Sequence, residues 1–279
     1  MTFEQKLTGI FTKKNSALCI GLDPNPALIP DTFKRESSDS NSVLRFCESI
    51  IEVTSDLASA FKINTAYFES LGKDGFDVMF RVREMIPADC MVVADAKRGD
   101  VPHTSEQYNQ CFFNHFNADA ITLSPLMGFE TLEAYGNDPS KALFVLALTS
   151  NPGAVDFFLH PFDNRPTLAR YISEALCERQ NSIQSRLGMV IGATQSTIAQ
   201  NVLDGFPDCP LLIPGIGAQG GNLETLTNLL EGRSNLPLIA ISRSIIYPNL
   251  ENGVDYQTGV RAAAEKYHSL LNPLVATHV

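Results

Sequence analysis

The stretch Met91-Val92-Val93-Ala94-Asp95-Ala96-Lys97 runs apolar and β-branched from its start, then closes on two charged residues. A short run of this kind reads as a buried strand whose C-terminal end is polar. Working outward, the same pattern recurs as ALCIGLD (17–23), ASAFKIN (58–64) and DAITLSP (119–125), then as ALFVLALTS (142–150), GMVIGATQ (188–195), PLLIPGIG (210–217) and LPLIAISRS (236–244). Such strands lack the in-out alternation of a one-sided sheet, as expected where both faces are covered in a parallel sheet. Between them, 42–57, 68–86, 101–116, 165–184, 196–204, 222–231 and 254–271 carry apolar residues three or four apart and are predicted as helices, with a weaker signal at 128–136. Eight βα units in succession predict a (β/α)8 barrel. The rival, an open doubly wound sheet, is expected to carry G-x-G-x-x-G after its first strand. Here Asp23-Pro24-Asn25-Pro26 follows instead.

With 279 residues, the chain has the length of one such barrel, and no repeat, low-complexity tract or linker divides it, so residues 1–279 are read as a single domain. Phe3, Leu7, Ile10 and Phe11 lie at helical spacing and predict a short N-terminal amphipathic helix instead of a signal peptide. A composition of 44% hydrophobic and 19% charged residues supports a substantial core. The net charge of −10, with Lys and Arg scattered, argues against a nucleic-acid partner, although a few cations focused in one cleft can still hold a small anion. No run is long enough to cross a membrane. Cys19, Cys47, Cys90, Cys111, Cys177 and Cys209 form no C-x-x-C pair and read as buried thiols in a reducing, cytoplasmic setting.

Barrels carry their chemistry at the C-terminal strand ends, and the capable residues collect there. Asp23 closes the first strand, Lys62 lies near the end of the second, Asp95 and Lys97 end the third, and Ser150 ends the fifth. Gly215, Gly217 and Gln219 follow the seventh strand, and Ser242 and Arg243 follow the eighth. Residues two apart on a strand share a face, so Asp95 and Lys97 are expected to project together, with Lys62 reaching them from the next strand as a coupled ionic array. Any single member also fits a salt bridge at the barrel rim. Asp100 fits a helix N-cap and Thr104 a first-turn residue. Glycines 215, 217, 220 and 221 beside Arg243 fit a phosphate site, because bare backbone lets N–H groups approach an anion closely. The histidines at 103, 115, 160, 268 and 278 have no metal-ligand spacing, and no G-x-S-x-G elbow is present. Schiff-base chemistry at Lys62 or Lys97 stays open on residue types alone.

Taken together, Gly21-Leu22-Asp23-Pro24, Phe61-Lys62-Ile63-Asn64 with Phe68-Glu69, Asp95-Ala96-Lys97-Arg98-Gly99-Asp100, Thr149-Ser150-Asn151-Pro152-Gly153-Ala154, Pro214 to Gly221 and Ser242-Arg243 resemble the orotidine 5'-phosphate decarboxylases, particularly their longer-chain bacterial branch, from about Gly21 to about Tyr247. The resemblance implies a homodimeric barrel that converts orotidine 5'-monophosphate to UMP and CO2 in pyrimidine biosynthesis without metal or organic cofactor. It implies a catalytic tetrad of Lys62, Asp95, Lys97 and Asp100, with Lys97 protonating C6. It implies that Asp23 and Lys62 hold the ribose, Ser150 the pyrimidine, and Gln219 and Arg243 the phosphate, with Ser242 alongside. Asp100 and Thr104 are implied to enter the partner subunit's site. Shorter members usually have Gly where this chain has Ser242, and the region 24–57 is longer than theirs. The rival enzyme is a Mg2+-dependent sugar-phosphate decarboxylase or synthase that shares the D-x-K-x-x-D run. The non-enzyme rival is a phosphate-ligand binding barrel.

Overall fold

The computed structural model describes residues 1–34, 38–193, 196–216, 223–234, 236–250 and 253–276. Among them the eight strands are β1 (Leu18–Leu22), β2 (Ala60–Asn64), β3 (Met91–Arg98), β4 (Ala120–Leu123), β5 (Ala142–Leu148), β6 (Arg186–Ile191), β7 (Leu211–Pro214) and β8 (Pro237–Ile241). Every neighbouring pair is parallel, and β8 returns to β1, with Leu18 opposite Ile239, so the sheet closes into the expected barrel.

The helices are α1 (Phe3–Lys14), α2 (Asp31–Lys34), α3 (Asp39–Thr54), α4 (Thr65–Glu69), α5 (Lys73–Met85), α6 (Pro102–Asn109), α7 (Leu168–Arg179), α8 (Ser196–Leu203), α9 (Leu223–Leu230), α10 (Arg243–Ile246) and α11 (Tyr256–Ala276). Two predicted helices are divided. The 68–86 helix breaks at Gly72, whose φ of +70° favours glycine, and Gly75 then passes so close to the Phe68 carbonyl that a Cβ there would lie 1.8 Å from its oxygen. The 101–116 helix continues past α6 as a π turn over Gln110–His115, where Phe116 N donates to the Cys111 carbonyl five residues back at 2.8 Å. The weak 128–136 signal is a 3-10 helix, Phe129–Tyr135.

α1 seals the end of the barrel away from the strand C-termini. Thr2 and Gln5 form a reciprocal capping box, and Phe3, Leu7, Ile10 and Phe11 are all buried, as their spacing predicts. Phe3 meets Phe144 of β5 edge-on, ring centroids 6.2 Å apart. Gly188 on β6 leaves room for that ring, since a Cβ there would come within 2.9 Å of it. Phe144 lies two residues before Leu146, which lines the cavity at the other end, so the aromatic pair floors the interior beneath the site.

The 24–57 region supplies α2 and α3. Phe33 and Phe46 from it cluster with Tyr247 and Tyr256, with Phe46 stacked on Tyr247 at 5.4 Å. Tyr247 Oη accepts from Asn25 N–H at 2.7 Å, which ties the loop after β1 to the segment after β8. Four cysteines are buried and all six are unbridged, but Cys111 in the π turn and Cys177 in α7 are only half-buried. Among the described residues no helix is long and apolar enough to cross a membrane.

Phe3→Ala removes the ring that closes the barrel floor. It is expected to cost about 3 kcal/mol of unfolding free energy, read from the denaturant midpoint at unchanged slope.

Candidate active site

The strand ends open into one cavity. Asp23, Lys62, Asn64, Asp95, Lys97, Thr122, Ser150, Pro214, Gly215, Ser242 and Arg243 line it, over a floor that includes Leu146, Val190, Leu212 and Ala240. Register explains the apolar floor. Leu146 pairs with Val190, Val190 with Leu212, and Pro214 with Ala240, so inward-facing residues of successive strands lie level with one another.

The ionic array sits on the opposite wall. Lys62 Nζ reaches Asp95 Oδ2 at 3.0 Å and Asp23 Oδ1 at 3.3 Å, and Lys97 Nζ reaches Asp95 Oδ1 at 2.6 Å. The Lys62 and Asp95 side chains are about nine-tenths buried, whereas that of Lys97 is 50% exposed at the mouth. Burial pushes the Asp95 carboxyl up, but the ammoniums of Lys62 and Lys97 outweigh it and hold the carboxyl well below the usual range. Burial likewise favours neutral Lys62, and the Asp23 and Asp95 carboxylates reverse that, so its ammonium is held above the ordinary lysine range. The floor beneath is apolar enough that burial pushes the Cys19 thiol up to about 12, so it stays neutral.

Lys97 reaches this place by a route that strand alternation did not anticipate. Its φ is +48°, in the left-handed region, and the β3–β4 register shifts between Ala94 and Arg98. The kink is braced on both sides. Lys97 N–H donates to Thr122 Oγ1 at 2.9 Å, while Arg98 donates to the Ala96 carbonyl at 3.0 Å, pairs with Glu69 of α4 and lies over the Tyr108 ring. Gly99 then passes the Ser124 carbonyl so closely that a Cβ would lie 2.7 Å from its oxygen. Thr122 was not singled out in the sequence. The available signal was an inward-facing polar residue in the otherwise apolar run AITL.

The remaining sequence-predicted residues divide. Asp23, Ser150, Ser242 and Arg243 line the cavity. β8 ends at Ile241, so Arg243 opens the short helix α10 instead of ending the strand, and Ser242 is its N-cap. Ser242 packs against β1 where Gly21 has no room for a Cβ, which would meet Ser242 Cβ at 2.7 Å, and its hydroxyl is buried without a partner among the described residues. Gly215 adopts φ +104°, as the turn off β7 requires. Gln219 and the rest of 217–222 lie outside the described residues.

Asp100 and Thr104 are not brought to the cavity of their own chain. Asp100 is no helix N-cap either. Val101 holds that position before Pro102, and Asp100 Oδ1 accepts from Val101 N–H at 2.8 Å. Val101, Leu126 and Met127, beyond the ends of β3 and β4, leave large apolar side chains exposed nearby in sequence. Among the described residues no group of three or more His, Cys, Asp or Glu could hold a metal ion.

A closed parallel barrel with a buried lysine–carboxylate array at its strand C-termini has the architecture of a (β/α)8-barrel enzyme. Residues 16–249 match the family described as Orotidine 5'-phosphate decarboxylase / HUMPS, and the chain belongs to that family. An orotidine 5'-phosphate decarboxylase of Dehalococcoides mccartyi is 34% identical over 275 residues, 98% of each chain. One from Herpetosiphon aurantiacus is 36% identical over 265 residues, 95% of this chain and 96% of the other. Among solved structures, Leishmania donovani OMP decarboxylase aligns with a TM-score of 0.83 at 31% identity, over 99% of this chain and 100% of that one. A Leishmania donovani UMP synthase aligns at 0.84 and 32% over 99% of this chain, which spans 57% of the synthase.

Asp95→Asn leaves two neighbouring ammoniums without their shared carboxylate, an expected loss of about 3 kcal/mol at neutral pH. Because the folded Asp95 pKa is depressed, its contribution is present above the unfolded value near 4 and fades as pH falls toward the lower folded value. The stability difference between wild type and variant, measured by denaturant unfolding at several pH values, should therefore shrink below about pH 4.

Proposed function

We propose that the cavity decarboxylates orotidine 5'-monophosphate to UMP without a cofactor, and that the array of Lys62, Asp95, Lys97 and Asp100 carries the chemistry. The observation that carries this reading is a carboxylate with one ammonium buried behind it and a second, half-exposed, at the mouth of the cavity. The C6–carboxylate bond breaks, CO2 leaves, and the electron pair stays on C6 in the ring plane, where the pyrimidine π-system cannot delocalise it. Lys97 stabilises this charge electrostatically and gives its proton to C6, then regains one from water.

Asp95 faces the substrate carboxylate, and two like charges about 3 Å apart at an effective dielectric near 20 repel by roughly 5 kcal/mol. That repulsion is present in the bound substrate and disappears with CO2. Asp23 and Lys62 hold the ribose hydroxyls, and Ser150 meets the pyrimidine. Arg243, Gln219 and the N-cap residue Ser242 hold the phosphate, so binding energy remote from C6 positions the reacting carbon. In this reading the buried, unpartnered Ser242 hydroxyl acquires a partner when phosphate binds.

The whole chain acts as one catalytic domain, and two chains pair. Asp100 and Thr104 complete the partner's site, which is supported by their position away from the cavity of their own chain. The exposed Val101, Leu126 and Met127 supply apolar surface for the pairing. The ligand is a single nucleotide, with no nucleic acid or membrane involved, and the unbridged thiols suit the cytoplasm.

The second reading, metal-dependent chemistry on a keto-sugar phosphate, is favoured by the breadth of the matched family. Against it, both Asp95 oxygens are already engaged by ammoniums. Loss of orotidine monophosphate absorbance with chelator present tests the choice. Wild type is expected to turn over fully and Lys97→Ala to lose activity while remaining folded. Chelator-sensitive turnover of a keto-sugar phosphate would reverse the reading. For the shared site, mixing inactive Asp100→Ala with inactive Lys97→Ala should restore part of the activity through hybrid dimers. No recovery despite demonstrated subunit exchange would assign both groups to one chain.

A further inference from the structure

Thr122 occupies the inner face of β4 at 1% exposure, and its hydroxyl is fully committed. Its oxygen accepts the Lys97 backbone N–H at 2.9 Å, and its one proton goes to Asp95 Oδ1 at 3.0 Å. The direction of each bond is set by chemistry, because an amide N–H can only donate and an ionised carboxylate can only accept. We infer that Thr122 is a positioning residue for the decarboxylation: it fixes the left-handed turn at Lys97 and the orientation of the Asp95 carboxylate together. The inference rests on the function proposed above and deepens it.

Two features of the backbone call for such a group. A non-glycine residue at φ +48° is held against its local preference and persists only where its surroundings hold it. At the same place the β3–β4 register slips, and the Lys97 N–H points to a side chain instead of a ladder carbonyl. The Thr122 oxygen supplies the acceptor there. At the other end of the hydroxyl, Asp95 Oδ1 is shared between Thr122 and Lys97 Nζ, while Oδ2 faces Lys62 Nζ. With the hydroxyl in place, each carboxylate oxygen has a defined cation. Without it, the carboxylate is free to rotate between the two ammoniums, and Lys97 loses the contact that holds its turn. A shift of a few tenths of an ångström at either group moves the proton donor relative to C6, and misplacement on the scale of an ångström can cost about 100-fold in rate. Having no second proton to offer, Thr122 acts through Asp95 and Lys97.

The test uses the full-length protein and three variants. Thr122→Val keeps the shape and removes both hydrogen bonds, and Thr122→Ser restores the hydroxyl. Thr122→Cys, with a weak thiol, takes the place of the valine variant if that one does not fold. Expected for Thr122→Val is a fall in kcat of about 10- to 100-fold, with KM for orotidine monophosphate within about threefold and a melting temperature near that of wild type. Thr122→Ser should return kcat to within about threefold of wild type. Hydrogen exchange at the Lys97 amide supplies a readout independent of turnover, with protection falling at least about tenfold in the valine variant and recovering in the serine variant. A valine variant with near-normal kcat, or Lys97 amide protection equal in all variants, overturns the inference. A kcat loss matched by an equal loss in the serine variant does so too. If wild type does not turn over orotidine monophosphate, the proposed function fails, and amide exchange alone decides whether Thr122 holds the turn.

Discussion

The open end of the barrel is organised around a carboxylate that cannot be buried alone. Removing an ionised Asp95 from water costs several kcal/mol even after the surroundings relax, while one ammonium at 3.0 Å returns about 5 kcal/mol at an effective dielectric near 20. One partner therefore roughly offsets the cost, and it takes a second partner with a neutral donor to make the ionised state secure. Lys62 comes from β2, Lys97 from β3 and Thr122 from β4, so the array requires three adjacent strands in the observed register. The parallel pairing that builds the fold also assembles the site.

This dependence explains why the two ends of the barrel differ so sharply. One end is floored by Phe144 and sealed by Phe3 of α1, so strand positions there tolerate only close packing. At the other end Asp23 follows β1, Lys97 lies one residue before the end of β3 and Ser242 follows β8, and the chain turns through conformations that ordinary side chains resist, as at Lys97 and Gly215. The aromatic cluster of Phe33, Phe46, Tyr247 and Tyr256 links the loop carrying Asp23 to the segment following Arg243. The sides of the cavity proposed for ribose and phosphate are therefore tied together.

Much of this was legible before any coordinates. The eight apolar runs, the N-terminal stripe from Phe3 to Phe11 and the gathering of Asp23, Lys62, Asp95 and Lys97 followed from periodicity and from the rule that barrels act at their strand C-termini. Less legible was anything set by contact between distant segments. The break at Gly72 was masked by an apolar spacing that runs through it, and the π turn at 110–115 has no signature of its own. Lys97 was expected to share a face with Asp95 by simple alternation, whereas a bulge and a left-handed turn bring them together. Thr122 was hidden for the same reason: a threonine in a strand reads as β propensity, and only the register of β3 against β4 turns its hydroxyl into a bridge. The helix N-cap reading of Asp100 failed because Val101 takes the N-cap position and Pro102 opens the helix.

The charge balance of the cavity bears directly on how such a site could work. Its lining holds Lys62, Lys97 and Arg243 against Asp23 and Asp95, three cations to two carboxylates, in a chain whose formal charge is −10. The cavity is thus a local reversal of sign, and low-dielectric walls concentrate its effect on a small anion. The reversal is uneven, because Arg243 stands on the side proposed for the phosphate while Asp95 stands among its cations on the opposite wall. In the proposed reaction a nucleotide drawn in by its phosphate brings its carboxylate toward the wall where a carboxylate already holds both ammoniums. Loss of CO2 would then remove that second carboxylate and leave the electron pair facing Lys97, the ammonium of the array that is half-exposed.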